Sequence, residues 1–116
     1  MARYEEFSID KGSDVAIELH LQSEDGSVKN LNGHTAAAKM KKSFNSDSDN
    51  TFDFTAVIAD PATQGIITLI MNNSVTSTLK AGRYVYDVEI SHNDSDGDTL
   101  IERVLEGRIH VTPNVT

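Results

Sequence analysis

Apolar and polar residues alternate with a period of two along most of this chain, the spacing of half-buried strands rather than the 3.6 of a helix. Val15, Ile17, Leu19 and Leu21 share one face, and Ala16, Glu18, His20 and Gln22 the other. Phe52, Phe54, Ala56 and Ile58 alternate with Asp53, Thr55 and Val57; Ile67, Leu69 and Met71 alternate with Thr68 and Ile70. Tyr84, Tyr86, Val88 and Ile90 form a further set, and a last run from about Leu100 to Thr112 puts Ile109 and Val111 on one face. Two weaker runs, Tyr4 to Asp10 and His34 to Lys42, bring the predicted strands to seven, with Ala36, Ala38 and Met40 facing inward in the second. Thr35 to Lys42 is the one ambiguous stretch, because Ala, Lys and Met also favour helix. Elsewhere no helix longer than a turn or two is expected.

The connecting segments are built from turn residues. Asp25-Gly26 is a candidate type I′ turn, Ser43 to Asn50 is rich in Ser, Asp and Asn, Asp60-Pro61 to Gly65 reads as a bend, and His92 to Asp98 is an acidic loop. Strands at this spacing without helical crossovers predict an all-β fold, an antiparallel β-sandwich forming one domain over residues 1–116. Gly107, together with a register change at Val104-Leu105, reads as a bulge or tight bend. In Leu79-Lys80-Ala81-Gly82-Arg83-Tyr84, a glycine precedes a tyrosine that opens a strand, the pattern of a tyrosine corner. Tyr84 is favoured over Tyr86 for that role.

Composition narrows the function classes. The chain has 116 residues and a formal charge of −8, from 18 acidic and 10 basic side chains. That balance repels phosphate and disfavours a nucleic-acid or anionic-membrane partner. Leu, Ile, Val and Phe make up 29 of the 116 residues, enough for a single core. The absence of cysteine removes disulfides, thiolate metal sites and a cysteine nucleophile. Apolar runs reach only four residues, as in Ala56-Val57-Ile58-Ala59, so no membrane span is expected. Glu5 and Glu6 stand where a signal peptide would be basic, so the mature chain is expected to start here.

The order of these signals resembles the immunoglobulin-like domain of tailed-phage virion proteins, as at the N-terminus of phage upper-baseplate proteins. The resemblance spans roughly residues 10 to 113. It rests on Asp25-Gly26 with Leu31-Asn32-Gly33, on Asp60-Pro61 with Gly65-Ile66-Ile67-Thr68-Leu69, on Leu79 through Val88, and on a closing Leu105-Glu106-Gly107-Arg108-Ile109-His110-Val111-Thr112-Pro113. It implies an immunoglobulin-like sandwich of about seven strands and a structural role in a virion, made in the host cytoplasm and assembled with other virion proteins in the tail or baseplate. Baseplate relatives continue past this domain, whereas this chain stops at Thr116, which implies a stand-alone component. A capsid decoration protein is the alternative within the same class.

Chemistry offers little beside this. His20, His34, His92 and His110 lack the spacing of paired metal ligands, and His20 and His110 fall on outward positions. Aligning Gly97 with the glycine of a calcium loop puts His92 and Arg103 where Asp and Glu are required. A calcium site of another kind, at this loop or at Asp47-Ser48-Asp49, would make the chain a calcium-dependent or carbohydrate-binding adhesion module, the second function class. No nucleophile with a base, phosphate loop or carboxylate pair points to catalysis, so neither enzyme activity nor a cofactor or metal is expected. Three sequons, at Asn72, Asn93 and Asn114, matter only in a secreted eukaryotic protein. More informative are Val57, Ile66, Ile70 and Val85, apolar residues at nominally outer positions, which a lone sandwich would make polar. They are expected to line a subunit contact in a homo-oligomer within a symmetric assembly.

Overall fold

The computed structural model describes residues 3–23, 25–43 and 51–113. Seven strands run in chain order: β1 (Arg3–Asp10), β2 (Val15–His20), β3 (Thr35–Lys41), β4 (Thr51–Ile58), β5 (Ile66–Met71), β6 (Gly82–Asn93) and β7 (Thr99–Thr112). A 3-10 turn, Ala62–Gln64, and a four-residue helix α1, Asn73–Thr76, are the helical pieces. The ambiguous Thr35–Lys41 is strand, because Ala38 and Met40 are drawn into the core and their neighbours stay outside. Tertiary burial overrides their helix propensity.

Hydrogen bonding runs in the order β1-β7-β6-β3-β4-β5-β2. β4 links the two layers: Thr51 to Phe54 pair with β3, and Thr55 to Ile58 pair with β5. Its alternation continues through the switch, with Phe54 buried and Val57 exposed, so one face of β4 stays on the core while its partner changes. The pairs are antiparallel except β1 with β7, which is parallel from Arg3↔Leu105 to Asp10↔Thr112. That parallel pair departs from the wholly antiparallel sandwich predicted by the turn signals. It arises because β1 and β2 are joined by a short turn yet pair with different neighbours, β7 and β5.

The core lies between the layers. Leu19, Ile67, Leu69 and Met71 from one side meet Met40, Tyr84, Tyr86, Val88, Ile90, Leu105, Ile109 and Val111 from the other, all buried. α1 closes one end. Its Asn72 cap accepts a hydrogen bond from the Val75 N–H, Asp14 accepts from the Asn73 N–H at 2.7 Å, and the buried Thr76 hydroxyl donates to the Ser13 carbonyl at 2.7 Å.

Two local expectations change. Asp25-Gly26 is not a type I′ turn, since that turn needs positive φ at both residues and only Gly26, at 86°, has it. The Ser23 carbonyl accepts from the Gly26 N–H and the Ser23 N–H donates to the Ser27 carbonyl, a loop one residue longer than the two-residue turn and closed by a left-handed glycine. The register change falls at Val104, as expected, but Gly107 is not part of it. The register shifts between Val88 and Glu89, leaving Val104 as the extra residue, whereas Gly107 pairs in regular register with Tyr86.

Candidate interaction surface

Three of the four outer apolar residues come together. Val57 lies opposite Thr68, which makes Ile66 and Ile70 its diagonal neighbours on β5. Ile70 in turn faces Ala16, and Ile66 faces His20, on β2. Val57 and Ile70 are 45% and 39% exposed, and Ile66 is half-buried. The polar border of this patch is the exposed pair Glu18 and His20, 2.7 Å apart.

Val85 belongs to another surface. It points outward from β6 in the other layer, between Lys41 on β3 and Arg108 on β7. The four positions therefore form two separate sites, because β5 and β6 lie in different layers. Around Val85 the outer face of β1-β7-β6-β3 is concave, with a volume of about 570 Å³, and Tyr4, Ala37 and Lys39 also line it. Arg103 there bridges Asp87 at 3.4 Å and Glu106 at 3.6 Å, and Lys39 is 3.8 Å from Asp53. Lys41 and Arg108 make no salt bridge among the described residues.

The β6–β7 hairpin ends in the acidic loop. One oxygen of Asp94 accepts hydrogen bonds from the N–H groups of Asp96 and Asp98, both at 2.9 Å, and Gly97 closes the turn at φ 85°. That carboxylate organises its own loop. Every residue from Ser95 to Arg103 is exposed, and Leu100 and Ile101 are 46% and 66% exposed despite their size. Among the described residues no group of three His, Asp or Glu side chains is placed to hold a metal ion. Asp47-Ser48-Asp49 lies outside the described residues, as does the Asn114 sequon.

Sequence spacing separates the four histidines, yet the rings of His34 and His92 stand 4.5 Å apart. The β3–β6 register brings them together: Thr35 pairs with Ser91, their hydroxyls 2.7 Å apart, so the flanking residues on that side meet. Strand pairing alone carries that signal, and spacing along the chain does not.

Both tyrosines of β6 are buried with their hydroxyls on backbone. The Tyr84 hydroxyl donates to the Lys80 carbonyl at 2.8 Å and accepts from the Lys80 N–H at 3.1 Å, a bond four residues upstream of the kind a tyrosine corner makes. Its ring packs edge-on against Phe52 and carries the Lys42 ammonium 4.7 Å from its centroid. Burial raises its pKa, with the Lys80 hydrogen bond pulling the other way. Burial and then the Glu5 carboxylate push Tyr86 further up.

No protein-family model matches the chain, and no curated protein matches it in sequence. Solved structures do resemble it. Murine CRIg superposes with a TM-score of 0.52 at 17% identity, covering 93% of this chain and 92% of its own. AggA, the major subunit of aggregative adherence fimbriae type I of Escherichia coli, is 8% identical with a TM-score of 0.43 over 92% of this chain and 89% of that one. An internalin-like protein of Listeria monocytogenes aligns over 94% of this chain but 27% of its own, at 20% identity and a TM-score of 0.35. With the strand order described above, the likeness to CRIg shows that this chain has an immunoglobulin-like β-sandwich fold.

Proposed function

We propose that this protein is a non-enzymatic structural module that acts by packing against neighbouring subunits, as an immunoglobulin-like component of a tailed-phage virion, in the tail or baseplate. The observation that carries the packing role is the meeting of Val57, Ile66 and Ile70 on the outer face of β4 and β5. Large apolar residues gathered on a solvent-facing sheet are costly in water and are stabilised when another surface covers them. The phage assignment draws on the ordered turn and strand signals from Asp25-Gly26 to Pro113. Its partners are then other virion proteins and further copies of itself, with neither nucleic acid nor membrane among them.

Light scattering over a dilution series, alone and with the products of neighbouring genes, tests the packing role, and labelling of intact particles tests the location. Association that is lost when Val57 and Ile70 are made polar supports the reading. A strict monomer under all these conditions removes it.

A further inference from the structure

The acidic hairpin tip and the two cations that flank Val85 are groups of opposite charge on one molecule, the cations in a concave face whose acids Asp87, Glu89 and Glu106 lie to the other side of Val85. At the tip, Asp96 and Asp98 are exposed, and so are Leu100 and Ile101 beside them. Nothing in the fold requires two consecutive large apolar residues in water there. In the concavity, Lys41 and Arg108 flank Val85 across three adjacent strands. Neither cation has a salt bridge among the described residues, in a chain whose net charge is −8. Arg103, by contrast, is already held by Asp87 and Glu106.

We propose that the hairpin tip of one copy docks into the concave face of a second copy, its Asp96 and Asp98 meeting Lys41 and Arg108, and its Ile101 covering Val85 between them. The orientation of Ile101 favours a closed pair. It lies opposite Ser91 on the outward-facing side of β6, the side that carries Val85. A two-fold arrangement therefore makes both tip-to-concavity contacts at once, each residue meeting its counterpart reciprocally. The bulge at Val104 is what turns Ile101 to this side, since it reverses the facing of β7 beyond Leu105. The contact rests on the reading of the chain as an assembly module and names one of its partners as itself, through a face other than Val57, Ile66 and Ile70.

Sedimentation velocity of the purified chain at low ionic strength, over a dilution series, reads this directly. The expected result is a reversible doubling of the 12.7 kDa mass that weakens as salt rises from about 50 to about 500 mM. Lys41→Glu with Arg108→Glu, and separately Asp96→Lys with Asp98→Lys, each raise the dissociation constant at least about tenfold; mixing the two variants restores pairing through both contacts, one native and one with its charges exchanged. Ile101→Ser weakens the pair without changing its salt dependence, and Val57→Lys leaves it intact. All these positions lie on the surface, and circular dichroism confirms folding. A monomer throughout, or a dimer indifferent to the charge reversals, overturns the contact. If the protein then still enters particles through Val57 and Ile70, the assembly reading stands without it; if it associates with nothing, both fall.

Discussion

The phenol of Tyr86 donates a hydrogen bond to the carbonyl oxygen of Glu5 at 2.9 Å, reaching from β6 past β7 to β1. Gly107 lies between them, opposite Tyr86 in one register and Glu5 in the other. A Cβ at position 107 would overlap the Glu5 carbonyl oxygen, so the seat of Glu5 against β7 at this point requires a glycine. Phe7 of β1 then packs on the Tyr86 ring at 5.6 Å between centroids.

Gly107→Ala must push β1 away from β7 and strand both ends of this bond. A loss of about 1–3 kcal/mol is expected in urea unfolding. Tyr86→Phe removes only the hydrogen bond to the Glu5 carbonyl, for about 1 kcal/mol. An alanine variant as stable as the parent would contradict the close approach.

Tyr84→Phe keeps the ring against Phe52 and deletes both bonds to Lys80. Stability should fall by about 1 kcal/mol, while Tyr84→Ala, which also empties part of the core, should cost about 3–5 kcal/mol. Comparison of the two denaturation midpoints separates the corner bond from the packing.

Alkaline pH provides a third check. Tyr84 and Tyr86 both have folded-state pKa values above the ordinary 10.0. Below that value both folded and unfolded chains keep the phenolic protons, and these groups do not affect stability. Above it the unfolded chain releases protons that the folded chain retains, so stability falls as pH rises, by up to about 1.4 kcal/mol per pH unit for each tyrosine. Melting temperature followed from pH 9 to 11 (~1 unit either side of the ordinary value) should drop less steeply in Tyr86→Phe than in the parent.

Val57→Lys and Ile70→Lys place charge on the exposed patch without touching the core. Each should change folding stability by less than about 1 kcal/mol. Recovery of the protein in intact particles should nevertheless be lost. Unchanged incorporation would show that this patch is not the contact.

Asp94→Ala removes the acceptor of two backbone N–H groups in the hairpin loop, an expected cost of about 1 kcal/mol. Because one oxygen of that carboxylate already serves its own loop, millimolar Ca²⁺ should leave the parent's melting temperature unchanged. A clear rise with Ca²⁺ would favour the adhesion-module reading.

The strands were legible because alternation reports burial directly. Tyr84, Tyr86, Val88 and Ile90 are inward because every second residue of β6 faces the core, and no other information was needed. The outward direction of Val57, Ile66, Ile70 and Val85 follows from the same parity. Parity says nothing about which layer a strand joins, so it could not show that Val85 stands apart from the other three. The His34 and His92 contact was hidden for the same reason, being a product of strand register between segments 58 residues apart. Gly107 was visible as an anomaly in a strand, but its cause lies on β1, about a hundred residues away in sequence.

By itself the sequence determined that the chain is all-β and which alternating strand residues face inward, because each of these depends on residues close together along the chain; the burial of Leu31 and Leu79 outside the strands was not legible in that alternation. Only the tertiary structure decided the parallel seat of β1 on β7, the passage of β4 between layers, and the division of the outer apolar residues into two surfaces. Those depend on which strands become neighbours, and hydrogen bonds and packing between distant segments select that.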